Sequence, residues 1–315
     1  MKKLLTGILV MMVVLTACTK DDSPGTDPPP PPPPPTVQDT LLGWKYVNMG
    51  QTGFSDVWFT SKQTGLLLTR GGIFRTTNEG VNWTKTDDGP NYANLFFLDA
   101  QYGYAQGSYD FAYTTNGGVT WTTHPNVLQA LNNYHDVFFT TPSTGYVTAR
   151  EGLFKSIDTG KTWQQIRTGD HNGIYFSNPD NGWVFNANKM YKTTNGGATW
   201  QFVSNVQATA LLIATLQFTD ALHAKYCAET LFGRSDDGGL TWTTKEFSQR
   251  ILDIHFLNNN DGYLTTITEI FKTTDGGITW TRSSKPGGEI VEIFFSDVNN
   301  GWACGQDNKL LQLKQ

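Results

Sequence analysis

Positive charge is scarce in this sequence: 23 lysines and arginines stand against 28 aspartates and glutamates. No run of basic residues compensates, so phosphate backbones and anionic headgroups are poor partners, and nucleic acid is excluded on that ground. Histidine is rarer still, five in 315 residues, and none has the spacing of a metal-ligand pair, so neither metal nor cofactor is expected. Three cysteines cannot build a disulfide framework. The longest apolar run, Leu4 to Leu15, is too short to cross a bilayer comfortably. What is plentiful is aromatic, 13% of the chain, together with 32 glycines. That composition fits a β-rich globular protein rather than a disordered one.

The N-terminus reads as an address. Lys2 and Lys3 precede the apolar run, which ends in Leu15-Thr16-Ala17-Cys18. This order resembles a bacterial lipobox, with cleavage after residue 17 and a lipid on Cys18. The following Thr19-Lys20-Asp21-Asp22 is similar to the acidic export signal of Bacteroidota lipoproteins. An unbroken proline run from Pro28 to Pro35 favours a stiff polyproline II spacer. The expected organisation is a signal peptide at 1–17, a lipidated cysteine and proline-rich linker at 18–40, and a globular domain at 41–315. Cleavage removes two of the 23 basic residues and no acid, leaving a formal charge of −7. The resulting expectation is a monomeric outer-membrane lipoprotein, held to the membrane by its lipid and open to the cell surface.

Internal repeats decide the fold class. Six segments read Ser/Thr-x-Asp/Asn-x-Gly-x-Thr/Asn-Trp, built on Asn78 and Trp83, Asn116 and Trp121, Asp158 and Trp163, Asn195 and Trp200, Asp237 and Trp242, and Asp275 and Trp280. The chemistry is that of a tight turn: a side-chain oxygen accepts backbone N–H groups, and the glycine takes a positive φ. An apolar run starts after residues 56, 94, 136, 173, 215 and 253, each 27 residues before its tryptophan. Those runs do not alternate, as expected for strands buried on both faces. A seventh repeat begins at Glu292 and reaches Gln315 without a box, while Gly43-Trp44-Lys45-Tyr46 stands alone at the other end. The expectation is therefore an all-β, seven-bladed β-propeller whose last blade is closed by the N-terminal strand. Cys227 and Cys304 fall at the thirteenth position of repeats five and seven, with a blade between them, so no disulfide is expected.

The boxes resemble the Asp-box, or BNR repeat, of sialidases, sortilin and the photosystem II assembly-factor family. The stretch Gly262-Tyr263 followed by Ile270 to Trp280 is similar to the last of these, and the resemblance runs over nearly all of 41–315. It implies a non-enzymatic scaffold that helps a membrane complex assemble. The absence of a dense arginine patch and the presence of a lipobox point to a different envelope setting.

Function is expected where length varies. From each tryptophan to the next repeat the interval runs from 10 to 15 residues, so variation falls in the loops that join blades. The longest are 122–135 and 201–214. The first repeat position carries Asp56, Asn94, Asp136, Gly173, Thr215, Asp253 and Glu292, expected at the mouth of the central channel. These side chains either cap strand starts and hydrogen-bond to loop backbone, or hold a cation or a basic group of a partner. Arg70, Arg150, Tyr92, Tyr109, His135, His171 and Arg250 are expected to form an aromatic and basic rim suited to a protein or a sugar. A carbohydrate-active protein, binding or hydrolysing a glycan at the channel mouth, is the alternative. The arginine cluster of a sialidase is missing, and the sequence nominates no catalytic residue.

Overall fold

The computed structural model describes residues 42–89, 92–107, 109–125, 127, 134–186, 188–206, 215–305 and 308–314. The signal segment, Cys18, the proline-rich linker and most of the two longest loops lie outside them. Among the described residues there is no helix, and 28 strands form seven antiparallel sheets of four. Blade 1 shows the pattern, with β2 (Asp56–Phe59), β3 (Gly65–Thr69), β4 (Gly72–Thr76) and β5 (Thr84–Asp87) in that order from the axis outward. The innermost strands of the other blades are β6 (Tyr92–Phe97), β10 (Tyr134–Phe139), β14 (His171–Phe176), β18 (Thr215–Phe218), β22 (Ile251–Phe256) and β26 (Ile290–Asp297). Each lies against the next, and β26 returns to β2, so the seven close a ring.

The closing blade is shared between the chain's two ends. Strand β1 (Trp44–Tyr46) pairs with β28 (Lys309–Lys314), Trp44 opposite Leu313 and Tyr46 opposite Leu311. Its sheet runs β1, β28, β27 (Asn300–Gly305), β26. A seven-bladed propeller closed by its N-terminal strand is thus the architecture.

The box residues do what their chemistry permits. In all six, the Ser/Thr hydroxyl accepts the glycine N–H four residues on, at 2.8 to 3.0 Å from Thr76, Thr114, Ser156, Thr193, Ser235 and Thr273. The same hydroxyl donates to Oδ1 of Asn78, Asn116, Asp158, Asn195, Asp237 or Asp275. That oxygen in turn accepts the N–H of the residue before the tryptophan, at 2.9 to 3.0 Å. The glycine has a second reason to be glycine. A Cβ at Gly80 would overlap Trp302, one at Gly118 Leu66, and one at Gly239 Met190, each on the preceding blade. Every such box is therefore a point of contact between blades as well as a turn.

The middle strands carry the core. The second strand is buried along its length in blades 1, 2, 3, 5 and 6. Cys227 and Cys304 sit in the second strands of blades 5 and 7 as free, buried thiols, small side chains in a packed layer. Arg75, Lys155 and Arg234 leave the third strand to donate to the next blade's box, at Gly117 O (2.8 Å), Gly196 O (2.8 Å) and Asp275 O (3.4 Å). Lys192 and Lys272 lie over the rings of Trp183 and Tyr263.

Candidate functional site

The innermost strands enclose a channel of about 430 Å³. Its wall is set by the first and third residues of each repeat, which project to the same side of a strand. At the first position, a carboxylate on one blade reaches the following one. Asp56 Oδ2 accepts the Leu95 N–H at 2.5 Å, Asp136 Oδ2 the Ile174 N–H at 3.2 Å, and Asp253 Oδ2 the Ile293 N–H at 3.1 Å. Asp253 Oδ1 also accepts the Thr215 hydroxyl at 2.9 Å, and Glu292 is hydrogen-bonded to the Asp253 carboxyl. These acids tie neighbouring blades through backbone N–H groups of the next innermost strand.

At the third position six of the seven residues are rings, a regularity visible in the repeat alignment only once the third column is read. Tyr175, Phe138, Phe96, Trp58, Phe294 and His255 follow one another around the channel, with centroids 5.5, 5.0, 5.8, 5.3 and 4.9 Å apart. The seventh is Gln217. Its amide bonds both backbone groups of Phe256, donating to the carbonyl at 2.8 Å and accepting the N–H at 2.7 Å. It fills the gap between Tyr175 and His255 with hydrogen bonds instead of a ring face.

Burial sets the electrostatics. It pushes Asp56 up to about 7, with a contribution from the charge of Asp253, and Asp136 and Asp253 up to about 6. Glu292 is raised well above the usual carboxylate range by burial, then by the charges of Asp253 and Asp56. Burial lowers His255 to about 4, so its ring is neutral at pH 7. The channel therefore holds acids whose burial favours the protonated form, Asp253 and Glu292 hydrogen-bonded to each other, above a wall of uncharged rings. No group of three His, Cys, Asp or Glu among the described residues is arranged to hold a metal ion.

The expected rim forms only in part. Tyr92 is 4% exposed and His171 0% exposed. Both belong to strands rather than loops. After a bulge at the start of the repeat, Tyr92 pairs with Gly107 and His171 with Asn186, adding two residues to the innermost strand. Buried His171 has its pKa lowered to about 4, and its Nδ1 lies 2.6 Å from Gly169 O. Arg70, Arg150 and Arg250 are exposed, as is Tyr109. Arg250 pairs with Glu229 at 3.6 Å, and His135 lines the channel and faces Asp170 at 3.2 Å. The long segments 122–135 and 201–214 begin as outer strands, Thr122–His124 and Gln201–Asn205; beyond those strands, most of each segment lies outside the described residues.

Fold and channel together define a seven-bladed propeller with an acid-rimmed, ring-lined axis. The sequence matches no family model, and no curated protein is found similar to it. Solved structures are similar in fold. YCF48 from Cyanidioschyzon merolae superposes with a TM-score of 0.68 at 18% identity, covering 86% of this chain and 98% of that one. YCF48 bound to D1 peptide gives 0.68 and 18%, covering 87% and 97%. The GH74 enzyme of Niastella koreensis gives 0.63 and 16%, covering 85% of this chain but 53% of that one.

Proposed function

We propose that the chain is an envelope lipoprotein, anchored through Cys18, that binds a protein partner through the face carrying the inter-blade loops, without catalysis. One observation carries the reading: the spacing within each repeat is fixed at 27 residues, while all length variation falls on one face of a rigid ring. The opposite face is occupied by box turns whose polar groups bond one another. Arg70 and Arg150, at the second turn of blades 1 and 3, and Tyr109, at that of blade 2, stand exposed on the variable face. A propeller of the same architecture that takes a peptide, YCF48 with D1 peptide, supports this use of the fold.

A glycan-cleaving role has less support, because Asp56, Asp136 and Asp253 are already engaged with the backbone of the next blade. The test is affinity purification of the full-length lipoprotein, solubilised from its own membrane, beside an Arg70→Ala/Arg150→Ala double variant. A partner retained by the first and lost by the second supports the reading. A partner held equally by both, or release of sugar from a polysaccharide panel, argues against it. Cys18→Ser is expected to move the protein from the membrane to the soluble fraction.

A further inference from the structure

We infer that the box face is the membrane-contacting face of the propeller, with aliphatic side chains at the tips of its turns entering the surface of a zwitterionic bilayer. The inference rests on the reading of Cys18 as a lipid anchor and deepens it, since it fixes which face the anchor holds down.

Apolar exposure is one-sided. The residue between the glycine and the Thr/Asn of the box is Val81, Val119, Leu240 or Ile278 in four of the six boxes, and Ile157 stands in a fifth; all are between 50% and 74% exposed. Turns between first and second strands share this face, because the Glu79 N–H donates to Gln63 O at 3.0 Å and the Gly238 N–H to Leu222 O at 2.8 Å. They add the exposed side chains of Leu222 and Val298. On the variable face, the described turns expose Tyr109 and Ile267.

Single exposed aliphatic residues are ordinary; what sets these apart is that they are level. One turn geometry repeated about an axis puts equivalent side chains at one height, so a flat surface meets all of them at once. A curved protein surface would meet a few. Contact removes apolar area from water, and the turns need little water of their own. Asp237 accepts both the N–H and the hydroxyl of Thr241, and Asp275 those of Thr279.

The point of attachment names the occupant. Trp44 lies opposite Leu313, and Leu313 opposite Gly301, at the end of blade 7 where Val298 turns. Strand β1 therefore begins at the box face, and the segment carrying Cys18 joins the ring there, just before the exposed Leu42. A lipid at Cys18 keeps this face at high effective concentration beside the bilayer and leaves the variable face towards solution. Charge selects the headgroup. Bonds within the turns hold the Asp158, Asp237 and Asp275 carboxyls below the usual carboxylate range, so anionic lipid is repelled. The outermost group of a zwitterionic headgroup is its ammonium, which these carboxylates attract.

The test places the full-length lipidated chain in phosphatidylcholine vesicles that contain a spin-labelled lipid as quencher. A fluorophore is attached at Ile278→Cys or, as the control, at Tyr109→Cys; the native Cys227 and Cys304 are buried. Emission from position 278 is expected to fall about twofold or more when the spin label is present, and emission from position 109 to stay unchanged. Adding Val81→Ser, Val119→Ser and Leu240→Ser is expected to restore the emission at 278, with an unchanged melting curve showing that the fold is kept. Equal quenching at both positions, no quenching at 278, or quenching indifferent to the three serines would overturn the inference. Self-quenching at 278 in detergent, without vesicles, would assign the face to a second copy and overturn it too. Flotation separates this inference from the anchor. A native chain that floats with the vesicles unquenched keeps the anchor and loses the contact; a Cys18→Ser chain that floats and is quenched at 278 does the reverse. A native chain that does not float at all overturns both.

Discussion

Trp44 meets Phe295 edge-on, with ring centroids 5.8 Å apart and planes at 87°. The two residues come from opposite ends of the chain, yet the geometry repeats what occurs within single blades. Trp83 stands on Phe59 at 6.0 Å, Trp121 on Phe97 at 6.1 Å, Trp200 on Phe176 at 6.1 Å and Trp280 on Phe256 at 6.0 Å. The N-terminal strand therefore brings to blade 7 the tryptophan that its own repeat lacks, and Trp44 is 2% exposed where the box tryptophans are half-buried.

Trp44→Ala should cost about 3–5 kcal/mol, the range for emptying a buried aromatic site. Equilibrium denaturation measures it. A loss below about 1 kcal/mol would mean that the seam carries little of the ring's stability.

Within the boxes, the buried hydroxyl is the better probe because it serves two partners. Thr273 accepts from Gly277 and donates to Asp275. Thr273→Val keeps the shape, leaves the buried Gly277 N–H unpaired and takes one of the bonds from Asp275 Oδ1, for an expected loss of about 1–3 kcal/mol. An unchanged unfolding midpoint would remove the hydroxyl from the account of the turn.

Two sets of acids respond to pH in opposite directions. Side-chain and backbone bonds from Thr279 hold the Asp275 pKa at about 2, below its unfolded value, so its contribution is present above pH 4 and lost as pH falls towards 2. Asp56 is raised to about 7 by burial, so its penalty is absent near pH 4 and grows as pH rises to 7. Burial-lowered His171 and His255 act the other way across part of that window, so the readout is a difference between variants. Asp56→Asn should gain on the native chain between pH 4 and 7, on the order of 1–3 kcal/mol at pH 7. A difference that does not change with pH contradicts the burial of this carboxyl.

Lys225 is 1% exposed and donates to the Thr219 hydroxyl at 3.2 Å, with its ammonium over the Phe256 ring. Burial pulls its pKa down to about 8. A group with a depressed ammonium pKa destabilises most below 8, and the penalty fades as pH rises towards 10.5. Lys225→Met should therefore be neutral to stabilising at pH 7, by up to about 2 kcal/mol, with the gain shrinking at pH 10. A loss of stability at pH 7 would show that the charge is needed where it lies.

Much of the ring was legible because its repeats are rigid in length. Six tryptophans 27 residues from their repeat starts give blade number, and a lone Trp44 gives closure. The channel was legible only in part. Its acids stand in the first column, but a sequence does not show that Asp56 reaches Leu95 on the next blade. Tyr92 and His171 look like loop residues because the bulge that draws them into the strand leaves no residue-type signature. The contact between Gly239 and Met190 was equally hidden, since the turn alone already requires glycine there.

The central claim is that binding belongs to the variable face. A photo-crosslinking residue placed at Tyr109 on that face, and separately at Val81 in a box, tests it in intact native cells; the two positions are 57% and 74% exposed. The account predicts a discrete crosslinked partner from position 109 and none from position 81. A partner captured from position 81 alone would place recognition on the box face and contradict it.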